Sequence, residues 1–170
     1  LPQALPSGDQ RPFGKVPFLP YPPALQFQHG SNRISLLNLE CDFACPSPWH
    51  YTGMPTLWNL ELQYFHWLKP EVDPKVGLSY MLDWVQGEGR SPITLRWNPF
   101  GVAQRMLQWT RLLATWQTSL AGTAEWDLLR RHVVQQARFL TRRQEHELLG
   151  NHLIKTAAGL YAAGSFLSGP

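Results

Sequence analysis

From residue 57 to residue 167 apolar side chains recur every three or four positions, a period that selects helices. Leu57, Leu60, Tyr64, Trp67 and Leu68 fall on one helical face, and Pro70 ends it. Pro74 suits the first turn of a second helix, which runs through Val76, Tyr80, Met81 and Trp84 to Gly87. Gly87, Gly89 and Pro92 predict a loop. Trp97-Asn98-Pro99-Phe100 introduces a third helix, with Ala103, Met106, Thr110, Leu113 and Leu120 in register and Val102, Trp109 and Trp116 widening its apolar face. Gly122-Thr123 ends that segment, and Thr123 can cap a fourth helix whose stripe of Trp126, Leu129, Val133, Ala137, Leu140 and Leu148 reaches Leu149. Its other face carries Arg130, Arg131, Arg138, Arg142, Arg143 and Glu145, which reads as a solvated surface with local ion pairs; a polyanion site is the competing reading.

The fourth helix runs into Gly150-Asn151-His152. Gly150 suits the left-handed position that closes a helix, and Asn151 is a favourable N-cap for the next one. Residues 153–167 are apolar on nearly every side, and Ala157, Ala158, Gly159, Ala162, Ala163 and Gly164 are small, so this last helix is expected to be buried all round. The corner puts Asn151 and His152 at the mouth of a helix N-terminus, where backbone N–H groups and the positive end of the helix dipole favour an anion. The plainer alternative is that Asn151 only caps the helix and His152 only fills its first turn. His146 lies across the break from His152, so no shared metal face is expected, and His146 reads as a surface residue.

Residues 1–30 contain Pro2, Pro6, Pro12, Pro17, Pro20, Pro22 and Pro23 and are expected to be extended or irregular. They read as an arm laid over the domain, with Phe13, Val16, Phe18, Leu19 and Tyr21 to bury; residues 1–10 read equally as a disordered tail. Arg33-Ile34-Ser35-Leu36-Leu37-Asn38-Leu39-Glu40 predicts one short strand, paired with residues 14–18. Pro46, Pro48, Gly53 and Pro55 mark a loop in which Trp49, His50 and Tyr51 either stack on sugars or close the core. The chain thus divides into a Pro-rich extended arm with a short strand, 1–55, and a helical portion, 56–170.

A net charge of +3 permits an acidic ligand but lacks the dense basic clusters of a nucleic-acid binder. Cys41 and Cys45 make no zinc site alone and read as structural thiols, with a local disulfide the alternative. No run approaches the ~20 apolar residues that span a bilayer, and no signal-like segment opens the chain. The chain starts at Leu1 and stops just after the last helix, so a fragment of a longer protein is expected. There is no glycine-rich phosphate loop, nucleophile elbow or His-Glu-x-x-His, so the reading implies neither cofactor nor metal.

Four stretches carry a resemblance. Leu148-Leu149-Gly150-Asn151-His152-Leu153, followed by an Ala-rich helix closing in Ala163-Gly164-Ser165-Phe166, resembles the N-terminal toroid domain of the heparinase II/III-like polysaccharide lyases. Leu57-Trp58-Asn59-Leu60-Glu61-Leu62-Gln63-Tyr64-Phe65-His66-Trp67-Leu68 is similar to that family's early helix, and Trp97-Asn98-Pro99-Phe100-Gly101-Val102-Ala103-Gln104-Arg105 to its Trp-x-Pro-Tyr-Pro-Val-Ser-x-Arg helix start. Ile34-Ser35-Leu36-Leu37-Asn38 is similar to its early strand. The sequence departs from the pattern at Glu61, Gln63, His66 and Gly101, where the family has Asn, His, Asp and Pro.

The resemblance implies a mainly α fold, part of an (α/α) toroid of antiparallel helical hairpins, and cleavage of uronic-acid-containing polysaccharides by β-elimination. It implies that Asn151 hydrogen-bonds the uronate carboxylate and that His152 neutralises it or acts as base. Arg105 and Tyr64 are the implied substrate contacts. A downstream tyrosine and a histidine from a following β-rich domain are implied as further acid–base groups, and a periplasmic or secreted location goes with them. An acidic-glycan-binding module without catalysis, or a helical protein-interaction domain, are the alternatives.

Overall fold

The computed structural model describes residues 27–28, 33–43, 45–143 and 150–168. Its described elements are β1 (Phe27–Gln28), β2 (Arg33–Leu36), β3 (Leu39–Asp42), α1 (Thr56–Tyr64), α2 (Pro74–Gln86), α3 (Ile93–Arg96), α4 (Pro99–Leu120), α5 (Ala124–Arg142) and α6 (Asn151–Ser168). The protein is mainly helical, with a small antiparallel sheet of order β1-β2-β3. Among the described residues no helix is long and apolar enough to cross a membrane.

The single strand expected at 33–40 is a hairpin. Leu37 and Asn38 both take positive φ, 53° and 60°, which turns the chain within two residues and pairs Leu36 with Leu39 and Arg33 with Asp42. Asn tolerates that conformation and Leu does not favour it, so the turn carries a weak sequence signal. The other neighbour of β2 is β1, with Phe27 opposite Ile34. The expected partner, 14–18, lies outside the described residues, as do the rest of the 1–26 arm and the 144–149 end of the fourth helix. Ile34 and Leu36 point inward from β2 and are fully buried. With Phe43 and Trp49 they join the same core as the helices. Trp49 therefore closes the core rather than facing a cleft, and Tyr51 packs edge-on against Trp58.

The helix boundaries follow the expected signals with two exceptions. Asp73 caps α2 by accepting from the Lys75 and Val76 amides, and Asn98 caps α4 by accepting from Gly101 N–H at 2.9 Å, each with a proline in the first turn. Thr123 caps α5 through the Trp126 amide. The fourth helix, expected to reach Leu149, ends as α5 at Arg142, where Arg143 leaves the helical conformation, and α1 ends at Tyr64 because Phe65 adopts φ 63°. The buried face of α1 is Trp58, Asn59, Leu62, Gln63 and Tyr64, and Leu57 is exposed.

A left-handed Phe costs about 1–3 kcal/mol. Packing supplies more than that. The Phe65 ring stacks on Trp49 and Trp67, with centroids 5.3 Å away in each case, and meets the Trp84 and Trp109 rings edge-on. Full burial of the ring contributes about 1.5–3 kcal/mol and each aromatic pair about 0.5–1.5 kcal/mol more. The core thus selects the conformation that ends α1.

Helix α4 is the hub. Thr123 and its neighbours fold α5 back along it, α1 crosses it, and α6 packs against it most extensively. A Cβ on Gly159 of α6 would sit 3.0 Å from the Ala103 carbonyl oxygen and 3.2 Å from its Cα, so a side chain there would push the two helices apart. The expectation that α6 is buried all round does not hold. It buries Thr156, Gly159, Ala163 and Phe166, while Ile154 is 68% and Tyr161 71% exposed. Only α4 and α5 cover it among the described elements, so its outward face meets solvent.

Candidate functional site

Asn151 is exposed and His152 half-buried at the start of α6. Gly150 has φ 62°, and its carbonyl accepts the first helical bond, from Ile154 N–H at 3.2 Å. The cap position expected for Asn151 is therefore taken by Gly150, and the Asn151 side chain stands in the first turn. That geometry leaves Asn151 and His152 beside the positive end of the α6 dipole.

The His152 ring lies 4.6 Å from Phe100, in the first turn of α4. Phe100 in turn meets Tyr64 at 6.0 Å, and Tyr64 meets His66 at 5.7 Å, both edge-to-face. Gly101 makes room for this: a Cβ there would lie 3.1 Å from the Tyr64 ring. A wall of aromatic and basic side chains thus runs from the end of α1 across α4 to the start of α6.

His66 sits beside an acid on this wall. Its Nδ1 is 4.0 Å from Glu61 Oε2. Burial, with Lys155 and Lys69 adding positive charge, pushes the imidazole down to about 4, so it is neutral at neutral pH. Burial pushes the Glu61 carboxyl up. Lys155 follows Asn151 by one helical turn, so the start of α6 offers an amide, an imidazole and an ammonium on neighbouring positions. Such a set can receive a carboxylate. Sequence reading assigns no site role to Phe100 or Lys155; the i, i+4 spacing of Asn151 and Lys155 is the signal that could have found the latter.

Two expected contacts are corrected. Arg105 is fully buried, not set in a cleft. It donates from Nε to Gln136 Oε1 at 2.8 Å, from Nη1 to the Gln63 carbonyl at 3.1 Å and from Nη2 to the Arg96 carbonyl at 2.9 Å. The guanidinium ties three helices together and presents no surface to a ligand. Tyr64 is 5% exposed, so its ring backs Phe100 and His66 instead of forming an open platform.

The departure at Gln63, and Asn59 one turn before it, have structural roles. Gln63 donates to the Trp49 carbonyl and accepts from Trp84 Nε1 at 2.7 Å, and Asn59 clamps the preceding loop through both the N–H and carbonyl of Tyr51. Cys41 and Cys45 are free thiols whose pKa values burial raises to about 11, which keeps them protonated. Among the described residues no group of three or more His, Cys, Asp or Glu side chains is placed to hold a metal. No family model, curated protein or solved structure matches the chain.

Proposed function

We propose that this chain is the N-terminal toroid part of a heparinase II/III-like polysaccharide lyase, acting on a uronic-acid-containing glycan. One observation carries the reading. The three helical stretches that resemble the family lie far apart in sequence, and their side chains converge on one wall: Tyr64 and His66 from the first, Phe100 from the second, His152 from the third.

In β-elimination a base removes the C5 proton of the uronate, a C4=C5 double bond forms, and the glycosidic C4–O bond breaks as an acid protonates the leaving oxygen. Negative charge builds up beside a carboxylate that is already charged. Asn151, His152 and the α6 N-terminus act on that carboxylate and lower the barrier by preorganised electrostatics. Phe100, backed by Tyr64, holds the His152 ring in place. The proton-transferring tyrosine and a further histidine belong to downstream sequence in this reading. Arg105 has no part in it.

The test is a full-length protein that includes the downstream domain, offered a panel of uronic-acid polymers and followed by the ultraviolet absorbance of the unsaturated product. Asn151→Ala and His152→Ala each abolish turnover while the protein stays folded. Near-normal turnover in both variants would sink the site. Glycan binding without any product would leave a binding module instead of a lyase.

A further inference from the structure

A second polar cluster forms around Arg105 and takes no part in the proposed lyase site. Arg96 is 3% exposed and Arg105 fully buried, and both guanidinium carbons sit over the Trp84 ring, 3.6 and 4.1 Å from its centroid. All three nitrogens of Arg105 have protein acceptors. Arg96 is different. Its Nη2 donates to the Trp84 and Val85 carbonyls, while its buried Nε and Nη1 have no acceptor among the described residues.

Two more polar atoms share that condition. Gln136 is fully buried and turns Oε1 to Arg105, leaving Nε2 without an acceptor. His132 stands one turn earlier on the same face of α5, and its buried Nδ1 is also unpartnered among the described residues. The four residues are one cluster: the Arg96 carbonyl accepts from Arg105, Arg105 donates to Gln136, and the charges of Arg96 and Arg105 both bear on His132.

Nearly all buried polar groups in folded proteins have partners, and an unpartnered group often marks an ion or a water. Here the unpartnered atoms are donors, or become donors in the case of His132, and they belong to one buried cation, Arg96, and to neighbours of Arg96 and Arg105. Among the described residues neither guanidinium forms an ion pair with a carboxylate; the ion pairs found there are made by Arg33, His66 and Arg90. Glu88 is the acid whose charge reaches Arg96 and His132, and it stands exposed on the loop after α2. Burying two positive charges without a counter-charge is unfavourable, and a bound anion removes that penalty. A water accepts hydrogen bonds but brings no charge.

We propose that Arg96, Gln136 and His132, with Arg105 as the second cation, bind a small monovalent inorganic anion of chloride size in the interior between α3 and α5. The lining donors are sealed from solvent, which excludes a polymeric glycan carboxylate and favours an ion that sheds its water readily.

Melting curves of the chain in chloride, with gluconate substituted at constant ionic strength, test this. Chloride raises the melting temperature saturably, by roughly 3 °C at a tenfold excess over its dissociation constant, and bromide does the same. Gln136→Glu keeps the oxygen that accepts from Arg105 and places a carboxylate where Nε2 was. It melts higher than the parent in gluconate and no longer responds to chloride. A parent indifferent to chloride, or a Gln136→Glu variant that responds as the parent does, overturns the proposal. Should that variant fail to fold, a bromide-soaked crystal of the parent decides the matter: an anomalous peak beside Arg96 Nε and Nη1 supports the site, and a water in its place overturns it.

Discussion

Two basic clusters flank the first half of α4, and they differ in access to water. The wall formed by His66, Phe100, His152 and Lys155 is half-open, and Asn151 beside it is exposed. The cluster of Arg96, Arg105 and Gln136 is sealed, with exposures of 3% or less. In the first, charge is available to a large ligand and costs little to keep. In the second, every guanidinium nitrogen without a partner is a penalty that the fold must offset, so its residues serve the core before they serve anything else. Sequence reading offers both His152, in the Asn-His pair, and Arg105, as a second anion contact. Burial alone separates them.

The largest expected effect lies on the sealed side. Arg105→Ala removes one buried cation and strands the Gln63 and Arg96 carbonyls and Gln136 Oε1, so it destabilises the fold by about 3–5 kcal/mol. Urea titration measures this, and a loss under about 1 kcal/mol would erase the distinction between the clusters.

The next probe titrates the open wall. His66 has a folded pKa of about 4 against an ordinary 6.5, so between those values the unfolded chain binds a proton that the folded chain does not. Its contribution is complete above pH 6.5 and falls away as the pH drops toward 4. The parent loses up to about 3 kcal/mol over that window, and His66→Asn flattens the loss. Glu61, 4.0 Å away with a raised pKa, works in the opposite direction, so the difference between the two curves isolates the imidazole. Parallel curves would show that His66 is solvated.

A smaller effect joins the two regions. Gly159→Ala gains helix propensity but sets a methyl against the Ala103 backbone, which cannot yield as a side chain would. The net loss is about 1 kcal/mol, with α6 and its corner displaced from α4. A stabilised variant with unchanged spectra would mean the helices have slack. Least of all, His152→Ala changes stability by under about 0.5 kcal/mol, because the residue is half-buried and away from the core. A thermal melt shows this, and a large loss would move His152 into the structural class of Arg105.

Much of the scaffold was legible in the sequence because its signals are local. Proline at the first turn, Asp73, Asn98 and Thr123 as caps and the 3.6-residue apolar period each act within one or two turns, and α2, α4 and α5 start where those signals place them. What stayed hidden depends on distant partners. Phe65 ends α1 because four tryptophans from separate segments pack around it, and nothing near Phe65 in the chain announces that. Gly150 rather than Asn151 takes the cap position of α6, a one-residue shift that propensity does not resolve. The sequence on its own determined a mainly helical protein with a polar corner at Gly150-Asn151-His152. Only the tertiary structure decided which basic residues face water, since burial belongs to the packing of whole helices: it drew Arg105 inside, left Ile154 and Tyr161 outside, and set His152 against Phe100.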